Sequence, residues 1–224
     1  MTKKFEEDVS LMKTRLADLP VEWEAKATVL KMKEADFQWR QMEWWAFYFE
    51  MLCFRHLGED FQRGDTYQTV SFDLKRSVNW DLKAKAIKSD KHDAILNDKT
   101  AMEDSIAEYG EHGAIIALCD VEYNDSDRSF QRWHTELKGG KSKYEAKREA
   151  RTSISRYRKT HVTLCEILFV RFTEENLPLL GTMKQGRNSN SKPRPEKYML
   201  DLEDLEEFLV DRLVFAKPKP DAAE

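Results

Sequence analysis

The sequence predicts an α/β (α+β) fold, because segments with helical spacing alternate along the chain with a hairpin and two continuous apolar runs. The predicted order is helix, hairpin, helix, strand, helix, strand. The chain has 224 residues, of which 41% are hydrophobic and 11% are aromatic, and this is enough apolar material for one substantial core. We therefore expect a single domain over residues 1–216, followed by a flexible tail over 217–224.

Two helices are predicted before the hairpin, over residues from about 5 to 18 and from about 21 to 57, with Pro20 at the break between them. Together they make an N-terminal helical part at about 5–57, and the core of the domain follows at about 65–216. The second helix ends in the aromatic stretch QMEWWAFYFEMLCFRHLG, which must be largely buried.

Two glutamates lie on nearly one face of this second helix, because Glu43 and Glu50 are one heptad apart. Glu50 is flanked by apolar residues, so its carboxylate is costly to bury unless a partner is nearby. It is either a salt-bridged surface residue or an acid that supports a site beside the hairpin.

The hairpin is predicted in SFDLKRSVNWDLKAKA, which alternates as two short strands around a turn at Arg76-Ser77-Val78. Asp73 then faces Asp81, and Lys83 projects beside Asp81 because residues two apart on a strand share a face. Two carboxylates suit Mg²⁺, and an adjacent lysine can stabilise negative charge on a phosphate. The pattern indicates a two-metal type of phosphodiesterase site, and its alternative is the solvated face of an ordinary hairpin.

The rest of the chain is predicted from apolar runs, caps and turn residues. A helix follows the hairpin, with Asn97 or Asp98 as its cap and Gly110 or Gly113 at its end. GAIIALCDVEYND and VTLCEILFVRF are apolar nearly throughout, which is typical of strands covered on both faces. The remaining predicted elements are a helix in SDRSFQRWHTELKG that starts at Ser126 or Asp127, an edge strand from Tyr198 to Leu202, and an amphipathic helix in LEDLEEFLVDRLVF.

The charges of the chain are unevenly distributed. The net charge is -4, yet the segment from Arg132 to Lys159 holds ten lysines and arginines against three acids. Such a segment indicates phosphate contacts with nucleic acid, and its alternative is a solvated basic face. Gly139-Gly140 would let the backbone approach a phosphate closely. The predicted DNA contacts are Lys138, Lys141, Lys143, Arg148, Arg151, Ser155, Arg156, Arg158 and Lys159.

Other features argue against several classes of protein. The three cysteines are far apart, so we expect core thiols and neither a disulfide framework nor a zinc site. Five scattered histidines argue against an HNH nuclease, and the lack of a glycine-rich loop after a strand argues against a methyltransferase or a P-loop ATPase. No apolar run approaches a membrane span and no signal peptide begins the chain, so we expect a cytoplasmic protein without a membrane partner.

With an acid on the first strand of the hairpin and acid-x-Lys on the second, the element order resembles the PD-(D/E)xK nucleases over roughly Glu43 to Phe172. The resemblance implies a central mixed β-sheet flanked by helices, the restriction-endonuclease-like core. It implies that Asp73 and Asp81 bind Mg²⁺ and that Lys83 acts in catalysis. A glutamate of the preceding helix, Glu50 or Glu43, would complete the site.

This chain departs from the family pattern at three points. Phe72 stands where proline is usual, Asp81 stands where glutamate is commoner, and the spacing between the acids is short, which leaves Asp65 as the alternative first acid. The block WHTELKGGKSKYE followed by SRYRK is similar to one in small type II restriction endonucleases. That resemblance implies Mg²⁺-dependent hydrolysis of double-stranded DNA at a specific short sequence by a homodimer. The alternatives are a nuclease of the same fold in DNA repair or RNA processing, and a catalytically decayed DNA-binding module.

Overall fold

The structure, a computed structural model, describes residues 1–64, 72–88, 92–141, 143, 145–146, 157–186 and 193–216. Within these ranges, the helices are α1 (Lys3–Leu16), α2 (Ala25–Glu34), α3 (Trp44–Leu57), α4 (Lys99–Tyr109) and α5 (Ser129–Leu137). The strands are β1 (Glu22–Glu24), β2 (Gln62–Arg63), β3 (Leu74–Lys75), β4 (Asn79–Ala86), β5 (Asp93–Asp98), β6 (His112–Glu122), β7 (His161–Phe172), β8 (Gly181–Met183), β9 (Lys197–Asp201) and β10 (Leu209–Val214). The predicted flexible tail lies outside the described residues.

The larger of two sheets has seven strands in the order β1-β7-β6-β4-β3-β2, and β10 also pairs with β7. β4 and β6 run parallel, whereas the other pairs of this sheet are antiparallel. The connection from β4 to β6 contains β5 and α4. The central sheet is therefore mixed and flanked by helices, which confirms the predicted fold class.

Alternate residues of β6 face two hydrophobic clusters, one on each side of the larger sheet. Ile115 and Ala117 belong to the cluster that contains residues of α1, α2 and α3. Ala114 and Ile116 belong to the other cluster, with residues of α4 and of the small sheet β5-β9-β8. All four side chains are fully buried, which confirms that this strand is covered on both faces.

Asp8 of α1 holds the turn between β3 and β4. Its buried carboxylate accepts hydrogen bonds from Arg76 Nη1 at 2.6 Å and from Trp80 Nε1 at 3.2 Å. It also accepts from Ser77, through the backbone N at 3.1 Å and the hydroxyl Oγ at 2.9 Å. A buried carboxylate is costly without such donors. Helix α1 therefore fixes the conformation of the hairpin turn.

Trp80 packs closely against Gly113 of β6, and the two residues are paired in the register of β4 and β6. A Cβ atom on Gly113 would lie 2.3 Å from the Trp80 ring, so the fully buried indole occupies the space that any larger residue would need. Of the two glycines predicted to end the helix before β6, Gly110 ends α4 with a left-handed φ of 79°. Gly113 lies inside the strand instead.

The prediction of one helix over about 21–57 is wrong. The chain forms β1, α2 and α3 in this range. The Glu24 carboxylate accepts two N–H groups of the first turn and so begins α2, and a turn with positive φ at Asp36 and Gln38 separates α2 from α3. The helical spacing continues through the turn in the sequence, because Trp39 of this turn also packs into the core.

Two predictions for the C-terminal part are also wrong. LEDLEEFLVDRLVF ends in strand β10 and is not an amphipathic helix, because Leu209–Val214 pairs with β7, a partner that local periodicity does not reveal. The strand predicted from Tyr198 to Leu202 is present as β9, but it lies between β5 and β8 and not at an edge. The sequence pattern does not predict β5.

Helix α5 starts later than predicted. It begins at Ser129, because the Asp125 carboxylate accepts N–H groups of its first turn at 2.9 and 3.2 Å. The Asp127 carboxylate accepts the N–H of Ser129 at 2.9 Å. The two aspartates cap the helix from the preceding loop, so neither Ser126 nor Asp127 is its first residue.

Candidate active site

The hairpin brings together the two aspartates and the lysine that the sequence predicts. The pairs Leu74↔Trp80 and Lys75↔Asn79 give the predicted register, which carries Asp73 opposite Asp81. Lys83 Nζ lies 3.7 Å from Asp73 Oδ2 and 4.0 Å from Asp81 Oδ2. The two carboxylates therefore share one ammonium group.

Asp73 is held by the backbone of the opposite strand. Its N–H donates to the Trp80 carbonyl at 3.0 Å, and its carboxylate accepts the N–H of Leu82 at 2.7 Å. One carboxylate oxygen is thus fixed beside β4, although Asp73 itself lies just before β3.

Asp81 is held by two side chains that the sequence analysis does not include in the site. Asn97 Nδ2 donates to Asp81 Oδ1 at 3.1 Å, and His112 Nε2 lies 3.4 Å from Asp81 Oδ2. The other ring nitrogen of His112, Nδ1, lies 3.0 Å from the hydroxyl of Ser105 in α4. His112 is fully buried, so this chain of contacts fixes the orientation of the Asp81 carboxylate from inside the protein.

Of the two candidate glutamates, Glu50 is the one that interacts with this cluster. Burial raises the pKa of Glu50 to about 7, and the charge of Asp73 also raises it, against the opposing effects of Arg63 and Lys83. Glu43 lies at the start of α3, where its carboxylate forms an ion pair with Lys159 and accepts the indole N–H of Trp45 at 2.8 Å. Glu43 is therefore engaged away from the hairpin.

The ionisable groups of the cluster shift one another's pKa values. Burial raises the pKa of Asp73 and the charge of Asp81 adds to that effect, although Lys83 opposes it. For Asp81, burial acts to raise the pKa, but Lys83 and the hydrogen bond from His112 hold the pKa below its usual value. Burial acts to lower the pKa of Lys83, yet Asp81, Asp73 and Glu50 raise it. Lys83 therefore stays protonated, and its ammonium group interacts electrostatically with three acids.

A divalent cation fits this donor set. In the described part of the chain, no group of three or more His, Cys, Asp or Glu side chains is placed to hold a metal ion, so the ligands would be the two carboxylates of Asp73 and Asp81. Mg²⁺ commonly takes only one or two protein carboxylates and completes its shell with water and substrate phosphate. The excess of carboxylate charge over lysine charge favours such an ion.

Solvent reaches one side of the cluster. The side chain of Asp81 is only 2% exposed, whereas Asp73 and Lys83 are 24% and 25% exposed. Arg63 of β2 is exposed, and its guanidinium lies 4.1 Å from the ring centre of Phe54. A phosphate would therefore meet Asp73, Lys83 and Arg63 before Asp81. Arg63 is not among the site residues predicted from the sequence.

The buried thiol of Cys53 interacts electrostatically with two acids of this cluster. Burial raises the pKa of the Cys53 thiol well above its usual value, and the charges of Glu50 and Asp73 raise it further. Cys53, Cys119 and Cys165 are all buried and free, which confirms the prediction of core thiols.

The cations of the basic segment differ in their exposure and in their ion-pair partners. Lys138 forms an ion pair with Glu145 at 2.8 Å and is 11% exposed, and Lys159 is 14% exposed beside Glu43. Both cations thus stabilise the fold. Lys141 and Lys143 are exposed and Arg158 is half-buried. Four predicted DNA contacts and the alternative first acid lie outside the described residues, namely Arg148, Arg151, Ser155, Arg156 and Asp65.

Comparisons with protein-family models, with curated proteins and with solved structures find no match. None of the helices in the described ranges has the length and apolarity needed to cross a membrane.

Proposed function

We propose that this chain is a Mg²⁺-dependent type II restriction endonuclease that hydrolyses phosphodiester bonds of double-stranded DNA at a specific short sequence. The observation that carries the proposal is the convergence of Asp73, Asp81 and Lys83 on neighbouring strands, with Glu50 approaching from the preceding helix. The mixed sheet with flanking helices supports the same proposal, since this is the core that the sequence resemblance implies.

Each residue of the cluster has a distinct chemical role in the proposed reaction. Asp73 and Asp81 would hold Mg²⁺, which polarises the scissile phosphate and lowers the pKa of a bound water. Lys83 keeps its proton and stabilises the negative charge that develops on the phosphate oxygens. Glu50, with a pKa of about 7, can accept a proton from the attacking water near neutral pH.

The reaction would be an in-line hydrolysis. The water oxygen loses a proton to Glu50 and forms a bond to phosphorus while the bond from phosphorus to the 3′ oxygen breaks. The 3′ oxygen takes up a proton from solvent water, which leaves a 3′ hydroxyl and a 5′ phosphate. Asn97 and His112 do not touch the substrate in this scheme. They hold the Asp81 carboxylate in one orientation, and so keep the ligand set in place.

The proposed partners follow from the substrate. Short duplex recognition sites are commonly palindromic, and a two-fold symmetric protein matches them with one active site for each strand, so we propose a homodimer. Lys141 and Lys143 are exposed cations of the basic segment and would contact phosphates. A cytoplasmic location remains part of the proposal.

A nuclease of the same fold in DNA repair or RNA processing would use the same cluster. A decayed DNA-binding module would not need it, and the presence of both aspartates and the lysine in contact favours an active enzyme over that alternative.

The test is incubation of the purified protein with long duplex DNA of known sequence, with and without Mg²⁺, followed by gel electrophoresis. Discrete Mg²⁺-dependent fragments are expected, and Asp81→Asn should abolish them without changing the far-UV spectrum. A smear would indicate a nonspecific or structure-selective nuclease. Absence of cleavage alongside a retained mobility shift would favour the DNA-binding module.

A further inference from the structure

A groove of about 510 Å³ lies between the start of α3 and the turn after α5. Met42 and Phe47 form an apolar part of its wall, and Arg40, Lys138 and Lys141 supply cations. Its volume falls in the usual range for small-molecule sites, about 300–1,000 Å³. An apolar wall with charged groups at the rim suits a ligand that has a flat apolar face and an anionic group.

Two of the three cations that line the groove are exposed, namely Arg40 and Lys141. The third, Lys138, forms an ion pair with Glu145 at 2.8 Å. The Arg40 guanidinium lies 4.0 Å from the ring centre of Trp39, which fixes its position. The acidic Glu43 at the rim is neutralised by Lys159.

The turn at the far wall leaves room for a phosphate. Gly139 and Gly140 have φ values of 82° and 114°, and no atom of the described residues lies within 4 Å of a Cβ atom built on either. The left-handed φ values require glycine at both positions. The space in front of the turn is therefore open to a ligand.

The groove lies beside the face of α3 that also carries Glu50, because Glu43 and Glu50 are one heptad apart. Glu43 and Phe47 line the groove, and Glu50 follows Phe47 by about one helical turn. With a rise of about 1.5 Å per residue, Phe47 and Glu43 lie about 4.5 and 10 Å from Glu50 along the helix axis. Successive nucleotides of a DNA strand rise by about 3.4 Å. A DNA strand that runs along α3 would therefore pass the groove one to three nucleotides from the proposed scissile phosphate.

We propose that this groove binds one nucleotide of the DNA strand, one to three steps from the cleaved bond. The base packs against Met42 and Phe47, and the phosphate lies between Arg40 and Lys141. This inference rests on the proposed nuclease function, and it adds a site for the substrate that is separate from the metal ligands.

The first test fills the groove without changing its charge. Gln41 is an exposed residue of the groove wall, so Gln41→Trp should block the site and leave the fold intact. In EDTA, fluorescence anisotropy of a fluorescein-labelled duplex that spans the cleavage site should show an affinity at least about tenfold weaker for this variant. Thr182→Trp, at an exposed position of β8, is the matched control and should bind as the wild-type protein does.

The second test asks whether a base occupies the groove. An abasic nucleotide is placed in turn at each of the steps that flank the cleaved bond. At one of these steps, loss of the base should weaken binding to the wild-type protein but cause no further loss for Gln41→Trp, because both changes remove the same contact. If the losses of binding caused by the abasic nucleotide and by Gln41→Trp were additive at every step, the proposal would be overturned.

The third test measures the phosphate contact. The pair Arg40→Ala and Lys141→Ala should lower the slope of log affinity against log salt by up to about two. The pair Lys3→Ala and Lys4→Ala, two exposed cations of α1, is the control with the same change in charge. An equal slope for both pairs would show that the groove does not hold a phosphate.

The outcomes separate the two proposals. Wild-type cleavage together with unchanged binding by all groove variants would overturn the groove and leave the nuclease function standing. Binding to a mixed-sequence duplex that depends on the groove, without Mg²⁺-dependent cleavage, would support the groove and overturn the nuclease function. Neither binding nor cleavage would overturn both.

Discussion

Two buried aspartates lie at opposite ends of the same hairpin and have different surroundings. At the turn, the Asp8 carboxylate accepts four hydrogen bonds, from Arg76, Ser77 and Trp80. At the open end, Asp81 accepts bonds from Asn97 and His112 but shares the single ammonium of Lys83 with Asp73. Four donors therefore contact Asp8, whereas another acid shares the lysine beside Asp81.

We expect this difference to distinguish a stabilising carboxylate from one that can bind a ligand. A buried carboxylate with a full set of donors has little to gain from an added cation. A carboxylate that competes with a second acid for one lysine retains electrostatic attraction for a divalent ion. Burial alone would not separate the two residues, because both are nearly closed to solvent.

The largest effect should come from Asp81→Ala. We expect cleavage to be abolished because a proposed Mg²⁺ ligand is lost, while DNA binding in EDTA and the cooperative melting of the protein persist. Single-turnover assays measure the cleavage rate, and thermal unfolding measures the cooperative melting. Normal turnover by this variant would remove Asp81 from the active site.

The opposite pattern is expected for Asp8→Ala. The free energy of unfolding should fall by about 3 kcal/mol, since the buried indole N–H of Trp80 loses its acceptor and the turn loses its other bonds. The molecules that remain folded at low temperature should still cleave DNA. Urea unfolding followed by Trp fluorescence provides the measurement, and Asp8→Asn, which keeps an acceptor oxygen, is the control. An unchanged urea midpoint for Asp8→Ala would contradict the stabilising role.

A smaller effect is expected for His112→Gln, because His112 only positions Asp81. The cleavage rate should fall about 10–100-fold, the usual cost of losing a group behind a metal ligand. The Mg²⁺ concentration for half-maximal rate should rise, which a purely structural defect would not cause. The check is a Mg²⁺ titration of the rate, with Ser105→Ala as a milder variant of the same contact.

The last effect concerns the dependence of stability on pH and is expected for Glu50→Gln. The pKa of Glu50 is about 7 in the folded protein, above its usual value of 4.5, so the folded state binds this proton more tightly than the unfolded state. The corresponding stability is present at low pH and is lost as pH rises through 7. Glu50→Gln should flatten this loss between about pH 5 and pH 8. If the free energy of unfolding, measured in urea, changed with pH to the same extent in both proteins, that result would count against the raised pKa.

The features predicted correctly from the sequence are local or strongly apolar. The turn at 76–78 fixes the register of the hairpin, so the meeting of Asp73, Asp81 and Lys83 follows from short-range geometry. Strands β6 and β7 are long and apolar enough to be recognised from composition alone. The central strands could be predicted for these reasons, whereas their mixed arrangement is implied only by the family resemblance.

The missed features depend on contacts between distant segments. β1 and β10 are short and are defined by pairing with β7, which local periodicity does not encode. His112 comes near Asp81 only because β6 runs parallel to β4, and Asn97 lies in β5, which the sequence pattern does not predict. The pairing of Lys159 with Glu43 likewise joins two segments far apart in the chain, so a local count of charges overstates the cations free to bind DNA.

The packing of Trp80 on Gly113 has an evolutionary consequence. A Cβ atom at position 113 would lie 2.3 Å from the Trp80 ring. A lineage that keeps the tryptophan must therefore keep the glycine, and a smaller residue at position 80 would permit a side chain at position 113. Trp80 immediately precedes Asp81 in the chain. Positions 80 and 113 should therefore change together in divergent homologues. That covariation would locate the hairpin in sequences where aspartates are too common to mark it by themselves.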